Sequence, residues 1–282
     1  MEGRVNMRKK IAFIGVGNMA SAIISGVTSE NNPSAIPMSD IILYDKFADK
    51  TSVYESMGAY VASSETQAVE MADCVFLCVK PQNFPEILPS FSDIEGVADK
   101  LFVTIAAGIQ MNTVSLAACG APVVRVLPNT PIFIGMGVSA ICKTENVCES
   151  DYDFVCKIFE SSSSVLHIDE SQMNRIIGVT SSSPAYVFLF IKSILEGAKA
   201  QGLIRDGISE QDMMNSICDM IIGSATLAKV SDKTINEQIS TVASKGGTTE
   251  RALLELEKYN FTEGIVSAMI KCTDRADELG KN

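Results

Sequence analysis

Tryptophan is absent from this sequence of 282 residues, histidine occurs once, and none of the eight cysteines forms a C-x-x-C pair. Metal sites and disulfide frameworks need clustered Cys or His residues, so we expect no bound metal and a reducing, cytoplasmic location. Basic residues are also few, because 23 Lys and Arg stand against 34 Asp and Glu, a formal net charge of −11. This charge argues against a nucleic-acid partner or an acidic membrane surface.

Long apolar runs are missing as well. The first one, Ile11–Ile14, is short and is followed by Gly15 and Gly17, so it is not a secretory leader. No uninterrupted apolar stretch reaches the length that spans a bilayer, and no membrane partner is expected. The composition, 46% hydrophobic and 20% charged, is that of a globular protein long enough for two domains.

A glycine turn follows the first strand-like run and leads into an amphipathic helix. Gly15 permits a sharp turn, and Gly17 lets the backbone approach a ligand closely. The small Ala20 permits close packing of the helix on the strand. Unpaired N–H groups at the start of the helix suit a pyrophosphate, and an acid, Asp45, ends the next strand. The pattern therefore predicts a dinucleotide site.

The choice between NADH and NADPH stays open at this point. Asp45 would accept a hydrogen bond from a ribose 2′-hydroxyl, which favours NADH. Lys46 and Lys50 follow at once and would pair with the 2′-phosphate of NADPH, or they are ordinary solvated loop charges.

Apolar runs alternate with helical patterns up to about residue 168, which predicts a doubly wound, mostly parallel sheet. The predicted strands are 11–14, 41–44, 74–79, 101–105, 123–127, 137–142 and 165–168. Ligands bind at the carboxyl ends of such strands, so the loops 79–82, 106–108 and 128–131 should line one groove beside the glycine turn. From about residue 170 onward the sequence shows only helical periodicity.

A second glycine turn, Gly246-Gly247-Thr248-Thr249, precedes one of these helices. Its backbone N–H groups would cradle an anion, although a plain turn capped by threonine has the same pattern. A nucleotide turn and an anion cradle suggest hydride transfer to a small carboxylate substrate. The lone His167 lies in a strand pattern and is more typical of a structural role, and a site poor in acids fits a protonated imine. The apolar helix faces exceed what one small domain buries, which predicts a homodimer.

Five runs carry a family resemblance, and they occur in the order Phe13–Ala20, Val79–Gln82, Arg125–Pro131, Ser183–Tyr186 and Gly246–Thr249. Together the runs resemble the pyrroline-5-carboxylate reductase family over nearly the whole chain. The resemblance implies reduction of 1-pyrroline-5-carboxylate to L-proline by NADPH or NADH. It also implies an N-terminal Rossmann-like domain (1–168) and a C-terminal all-helical domain (169–282) that binds substrate and forms a homodimer, which assembles into a decamer.

The resemblance also assigns site residues. With Asp45 and Lys46 included, the predicted cofactor-binding residues are Ile14, Gly15, Val16, Gly17, Asn18, Met19, Asp45, Lys46, Val79, Lys80, Pro81, Ile105, Ala106, Ala107 and Asn129. The predicted substrate-binding residues are Glu170, Ser244, Gly246, Gly247, Thr248 and Thr249. The amides of residues 246–248 would hold the substrate carboxylate. The Thr249 hydroxyl, the predicted catalytic group, would lie near the ring nitrogen.

Three departures from the family pattern affect these assignments. Ser181-Ser182-Ser183 replaces a usual Gly-Ser-Gly, which should stiffen that helix. Lys245 replaces a proline and adds a cation beside the cradle, while Glu65 replaces an asparagine and would repel a 2′-phosphate. Two alternatives stay open, a reductase of another cyclic imine and a non-catalytic nucleotide sensor with the same fold.

Overall fold

The computed structural model describes residues 9–30, 32, 35–205 and 207–280. By its internal contacts the chain divides into two compact units. The first unit is the chain up to Ser182 together with the part from Met269 onward, and the second is Ser183–Ala268. The domain division after residue 168 stays a prediction, and the first eight residues of its first domain lie outside the described residues.

An eight-stranded sheet forms the centre of the first unit, in the spatial order β3-β2-β1-β4-β5-β6-β7-β8. Its strands are β1 (Ile11–Ile14), β2 (Ile41–Tyr44), β3 (Tyr60–Val61), β4 (Cys74–Leu77), β5 (Leu101–Thr104), β6 (Val123–Leu127), β7 (Gly137–Lys143) and β8 (Ser163–His167). Every neighbouring pair is parallel except β6 with β7. The strand order reverses at β1, which has β2 on one side and β4 on the other, and ligands bind at such a switch point.

Helices of the first unit cover both faces of this sheet. In chain order the helices of both units are α1 (Asn18–Thr28), α2 (Ser52–Ser56), α3 (Glu65–Met71), α4 (Phe84–Ile87), α5 (Met111–Ala117), α6 (Glu149–Glu160), α7 (Glu170–Ile176), α8 (Ser183–Ala200), α9 (Glu210–Val230), α10 (Ile235–Val242), α11 (Thr248–Lys258) and α12 (Phe261–Leu279). A π-helical turn, Ile177–Ser181, separates α7 from α8.

Two apolar cores explain why the strands form where they do. Side chains alternate across a strand, so Phe13 and Phe76 enter the core under α1 and α6, whereas Ile14 and Leu77 enter the core under α3, α4, α5 and α7. Strands β1 and β4 are buried along their whole length. Such runs are apolar at every position because both faces of a parallel sheet are covered.

All of the predicted strands are present, with small changes at their ends. The strand predicted at 74–79 ends at Leu77, and the one predicted at 165–168 lies at Ser163–His167. The structure adds β3, a two-residue edge strand that the sequence analysis did not find. Beyond residue 170, the described residues contain helices and one isolated bridge, Arg205 with Ile208, as the helical periodicity predicts.

The serine run lies between a π-helical turn and the start of α8, and its stiffening of that helix stays a prediction. The chain makes a π-helical turn up to Ser181 before α8 begins at Ser183. The Ser181 hydroxyl is buried without a hydrogen-bond partner. A buried unpaired polar group costs about 1–3 kcal/mol, so this turn is maintained by the surrounding packing.

The second unit consists of helices with large exposed apolar side chains. They include Phe188, Leu189, Ile222, Leu227, Ile239, Leu254 and Val266. Serine and threonine capping boxes fix two helix starts, at Ser209 before α9 and Thr234 before α10. Within the described residues, the helical run Glu170–Ala200 contains one 18-residue window with a mean hydropathy of 1.2, which is enough to cross a bilayer by length and composition only. Core helices of proteins outside membranes meet the same criterion, so this helix is weak evidence for a membrane span.

Candidate active site

The first glycine turn has the geometry of a nucleotide loop. Gly15 has φ +89°, and a Cβ atom there would lie 2.9 Å from Cγ1 and N of Val79. Its N–H donates to the carbonyl of Tyr44 at 2.8 Å. A Cβ atom on Gly17, by contrast, would meet nothing within 4 Å, so this glycine faces open space beside the start of α1. Gly15 is therefore required by the fold, and Gly17 leaves room for a ligand.

A cleft of about 410 Å³ opens beside this turn. Of the predicted cofactor residues, those that line it are Ile14, Gly15, Gly17, Asp45, Lys46, Val79 and Lys80. The lining also includes Phe47, Lys50, Glu65, Gln82 and Glu86. The other predicted cofactor residues, Val16, Asn18, Met19, Pro81, Ile105, Ala106, Ala107 and Asn129, do not belong to this lining. The carboxyl ends of β1, β2 and β4 thus form one groove. Of the three loops predicted to line it, 79–82 does so, whereas no residue of 106–108 or 128–131 belongs to the lining.

The Asp45 carboxylate is held by its own chain. Oδ2 accepts the N–H of Val16 at 2.8 Å, and Oδ1 accepts the N–H of Phe47 at 3.0 Å. Lys50 Nζ lies 3.4 Å from Oδ2, and the Asp45 side chain is only 8% exposed. The carboxylate is therefore fixed beside the glycine turn, where it presents a negative charge to the cleft.

A half-exposed aromatic ring with two ammonium groups stands at the mouth of the cleft. Lys46 Nζ lies 5.7 Å and Lys50 Nζ 4.8 Å from the centroid of Phe47. Glu65 also lines the cleft and accepts a hydrogen bond from the Tyr44 hydroxyl. Burial together with this carboxylate raises the pKa of Tyr44. The lysines and the carboxylates that line the cleft would act in opposite directions on a 2′-phosphate.

The loop after β5 runs from Ile105 to Gly108. The Ile105 N–H donates to Leu77 O, and the Ala106 N–H donates to Thr104 Oγ1, each at 3.3 Å. Gly108 has φ +80° and touches the C-terminal turn of α12. The loop is thus attached to β4 at one end and to the end of the described chain at the other.

Asn129 has both ends of its amide engaged within the first unit. Nδ2 donates to the carbonyl of Thr180 in the π-helical turn at 3.0 Å, and Oδ1 accepts the N–H of Val138 at 2.8 Å. The residue is 7% exposed. Its side chain joins the end of β6 to the start of β7 and to the π-helical turn, so cofactor contact by Asn129 stays a prediction.

Glu170 has structural partners in the first unit. Its Oε1 accepts the N–H of Met111 at 2.6 Å, at the start of α5, and lies 3.7 Å from Nη1 of Arg125. Arg125 is 1% exposed, and its Nη2 donates to Asn174 Oδ1 at 2.7 Å. Burial lowers the pKa of Arg125, and Glu170 opposes that shift. A substrate contact by Glu170 stays a prediction, and no sequence pattern indicates this network of Glu170, Arg125 and Asn174.

The second glycine turn makes hydrogen bonds within its own chain, and a substrate contact by its amides stays a prediction. Gly246, with φ +75°, donates its N–H to Glu250 Oε2 at 2.7 Å. Gly247 donates to the carbonyl of Ser244 at 2.9 Å, and a Cβ atom there would lie 2.7 Å from Ser244 Oγ. Both glycine amides thus have partners in the chain. Helix α11 begins at Thr248, and the amides of a first helical turn have no carbonyl partner within their helix.

His167 interacts with a neighbouring aromatic side chain. Its Nδ1 lies 2.8 Å from the hydroxyl of Tyr152 on α6. Burial raises the pKa of Tyr152 to about 12. Because this phenol keeps its proton near neutral pH, the pair is a stable hydrogen bond, which agrees with the structural role favoured by the sequence.

Fold and site together define a dinucleotide-binding oxidoreductase of the Rossmann type that carries a helical unit with exposed apolar faces. Residues 10–108 match the family model described as NADP oxidoreductase coenzyme F420-dependent, and residues 170–279 match pyrroline-5-carboxylate reductase dimerisation. The chain belongs to the pyrroline-5-carboxylate reductase family.

Individual relatives are similar over their whole length. The pyrroline-5-carboxylate reductase of Corynebacterium melassecola is 32% identical, with 96% of this chain and 99% of that protein covered. The enzyme of Escherichia coli is 29% identical, with 98% and 100% covered. The crystal structure of Plasmodium falciparum pyrroline carboxylate reductase with NADP bound has a TM-score of 0.86 at 25% identity, and the match covers 99% of this chain and 100% of that one.

Proposed function

We propose that this chain reduces 1-pyrroline-5-carboxylate to L-proline with NADPH or NADH. The observation that carries the proposal is a pair of helix N-termini that follow glycine turns, at the start of α1 and of α11, in a chain of this family. No observation favours a nucleotide sensor. A reductase of another cyclic imine would differ only in the ring that the site accepts. The test below distinguishes it by comparing imines of different ring size.

The cofactor occupies the cleft beside the glycine turn in this proposal. Gly17 leaves the backbone N–H groups at the start of α1 open to the pyrophosphate. Val16, Asn18 and Met19 extend this site at the turn between β1 and α1. The other predicted cofactor residues complete the groove along the carboxyl ends of β4, β5 and β6, and they are Pro81, Ile105, Ala106, Ala107 and Asn129. When bound, NADPH or NADH supplies the hydride, and the chain supplies position and charge.

The substrate carboxylate binds at the first turn of α11. Because the amides of Gly246 and Gly247 have internal acceptors, we assign the carboxylate to the amides of Thr248, Thr249 and Glu250, with the helix dipole behind them. Gly246 and Gly247 then act by shaping the turn. The Thr249 hydroxyl holds the ring nitrogen, and Lys245 adds a nearby positive charge. A protonated imine already carries its charge, so alignment is the main requirement.

The proposed reaction also assigns a role to each domain and a set of partners to the chain. Residues 1–168 bind the cofactor, and residues 169–282 bind substrate and form the homodimer, which assembles into a decamer. The exposed apolar side chains of the helical unit and the matched dimerisation family support self-association. The net charge of −11 supports an enzyme without nucleic-acid or acidic-membrane partners. The absence of a C-x-x-C pair from the sequence supports a reducing, cytoplasmic location.

The test follows the loss of NADPH or NADH absorbance with 1-pyrroline-5-carboxylate and with cyclic imines of other ring size. Highest kcat/KM for 1-pyrroline-5-carboxylate supports the proposal. A preference for another ring selects the alternative reductase, and cofactor binding without turnover of any imine contradicts both. Thr249→Ala should lower kcat/KM about tenfold, the effect of about 1.4 kcal/mol, and Thr249→Ser should restore most of it. Unchanged kcat/KM in Thr249→Ala would remove this residue from the site.

A further inference from the structure

The loop after β5 and the end of α12 meet through two glycines. A Cβ atom on Gly108 would lie 2.6 Å from the carbonyl oxygen of Ala276, 2.9 Å from Leu279 Cβ and 3.2 Å from Gly280 N. In turn, a Cβ atom on Gly280 would clash with the carbonyl oxygen of Gly108. Real Cβ atoms do not approach backbone atoms this closely, so the contact exists because both residues lack a side chain.

The last turns of α12 are firmly attached to the part of the first unit that contains the sheet. Ala276 is 3% exposed and belongs to the core that contains Ala106 and Ile109. Asp277 Oδ1 accepts Nδ2 of Asn174 at 2.7 Å, and Asn174 in turn accepts from the buried Arg125. The helix end is therefore held by apolar burial and by a polar network, and it forms a fixed surface for the loop.

The other end of this segment makes a second close contact. A Cβ atom on Gly178, in the π-helical turn, would lie 3.2 Å from both Cα and O of Met269. The segment from Met269 to Gly280 thus approaches the backbone of the sheet-containing part of the first unit at both ends, at Gly178 and at Gly108. Such backbone-to-backbone contacts transmit a displacement directly, because no flexible side chain lies between the two segments.

We propose that the C-terminal turn of α12, through Ala276, Leu279 and Gly280, is a positioning element that holds the Ile105–Gly108 loop in the form that binds the cofactor. The inference rests on the proposed function only in that residues 105–107 contact NADPH or NADH. Gly280 and its neighbours act through the loop and do not touch the cofactor themselves.

The first experiment compares Gly280→Ala with Gly264→Ala. Both glycines lie in or at the end of α12, but a Cβ atom on Gly264 meets nothing within 4 Å. We expect Gly280→Ala to raise the Kd of NADPH or NADH, measured by fluorescence titration, at least about fivefold, or about 1 kcal/mol. The KM for the cofactor should rise in parallel, while kcat at saturating cofactor stays within about twofold. Gly264→Ala should leave Kd unchanged.

A second pair separates the contact from backbone strain. Gly108→Ala and Gly120→Ala both place a side chain at positive φ, +80° and +90°, but only Gly108 faces the helix end. We expect a weaker cofactor affinity for Gly108→Ala and a normal one for Gly120→Ala. If Gly108→Ala gives no folded protein, the comparison of Gly280→Ala with Gly264→Ala tests the inference by itself, because a change at the end of α12 leaves the sheet intact.

A cofactor Kd within twofold of wild type in Gly280→Ala overturns the inference, even if Tm falls, since lost stability alone would show only a structural role. Equal weakening in Gly264→Ala overturns it as well. The binding assay does not need turnover, so failure to reduce 1-pyrroline-5-carboxylate would refute the proposed function and leave this inference standing.

Discussion

The carboxylate of Glu250 gives the sharpest prediction for substrate binding. This side chain accepts the N–H of Gly246 at 2.7 Å and therefore places a negative charge at the first turn of α11, where we assign the substrate carboxylate. Replacing Glu250 by Gln keeps an oxygen that accepts this N–H and removes the charge. We expect a lower KM for 1-pyrroline-5-carboxylate in Glu250→Gln.

The magnitude follows from the spacing of the two carboxylates. An anion at the neighbouring amides would lie about one helical pitch, roughly 5 Å, from the Glu250 carboxylate. Two unit charges at that distance repel by about 0.8 kcal/mol in bulk water and by about 3 kcal/mol at an effective dielectric constant of about 20. The first turn of α11 is partly exposed, so the lower value applies, and KM should fall about fourfold.

The assay is initial-rate kinetics with substrate varied at saturating cofactor. Glu255→Gln is the matched control, because it removes the same charge from the same helix farther from its start. At about 1 M salt the difference between wild type and Glu250→Gln should nearly disappear, since the Debye length is then about 3 Å. A KM that is unchanged or higher in Glu250→Gln, or lowered equally in Glu255→Gln, would refute the reasoning.

Three further predictions concern the first unit. Asp45→Asn removes a fixed charge from the cofactor cleft and should raise the ratio of kcat/KM for NADPH over NADH about tenfold; an unchanged ratio would show that Asp45 serves only the turn. Arg125→Leu should lower the free energy of unfolding by about 2–4 kcal/mol in urea denaturation, because Asn174 and Glu170 lose their buried partner; an unchanged midpoint would contradict this. Burial raises the pKa of Cys142 from 9.0 to about 12, so the folded state holds this proton more tightly than the unfolded chain does. The corresponding stability should be complete below about pH 9 and fall as pH rises toward 12, and Cys142→Ala should flatten that fall; equal slopes would contradict it.

The sheet was largely predictable because its strands are buried on both faces. Runs such as Ile11–Ile14 and Cys74–Leu77 must be apolar at each position, which sequence reveals directly. The edge strand β3 has two residues and is not fully buried, so it leaves no such pattern. The reversal at β7 was accessible in principle, because residues 128–136 are too few for a crossover of about a dozen residues.

The sequence predicts which residue types form the candidate site, but it predicts their hydrogen-bond and ion-pair partners less well. The glycines at 15 and 246 stand at positive φ, as their turns require. The hydrogen-bond acceptors of the Gly246 and Gly247 amides are oxygens of Glu250 and Ser244. The positions of these oxygens cannot be predicted from the periodicity of the sequence. Arg125 is unusual in the sequence because it is a cation inside an otherwise apolar strand. Its contacts with Asn174 and Glu170, which are distant in sequence, exist only after folding.

The side-chain amide of Asn129 must present its donor to one neighbour and its acceptor to another. It offers a hydrogen to the π-helical turn at Thr180 and a lone pair to the start of β7 at Val138. Aspartate has the same shape but would turn an acceptor toward a carbonyl, and leucine would satisfy neither neighbour. In a saturation library selected for growth without proline, position 129 should therefore retain asparagine almost exclusively, while the exposed Thr130 beside it tolerates exchange.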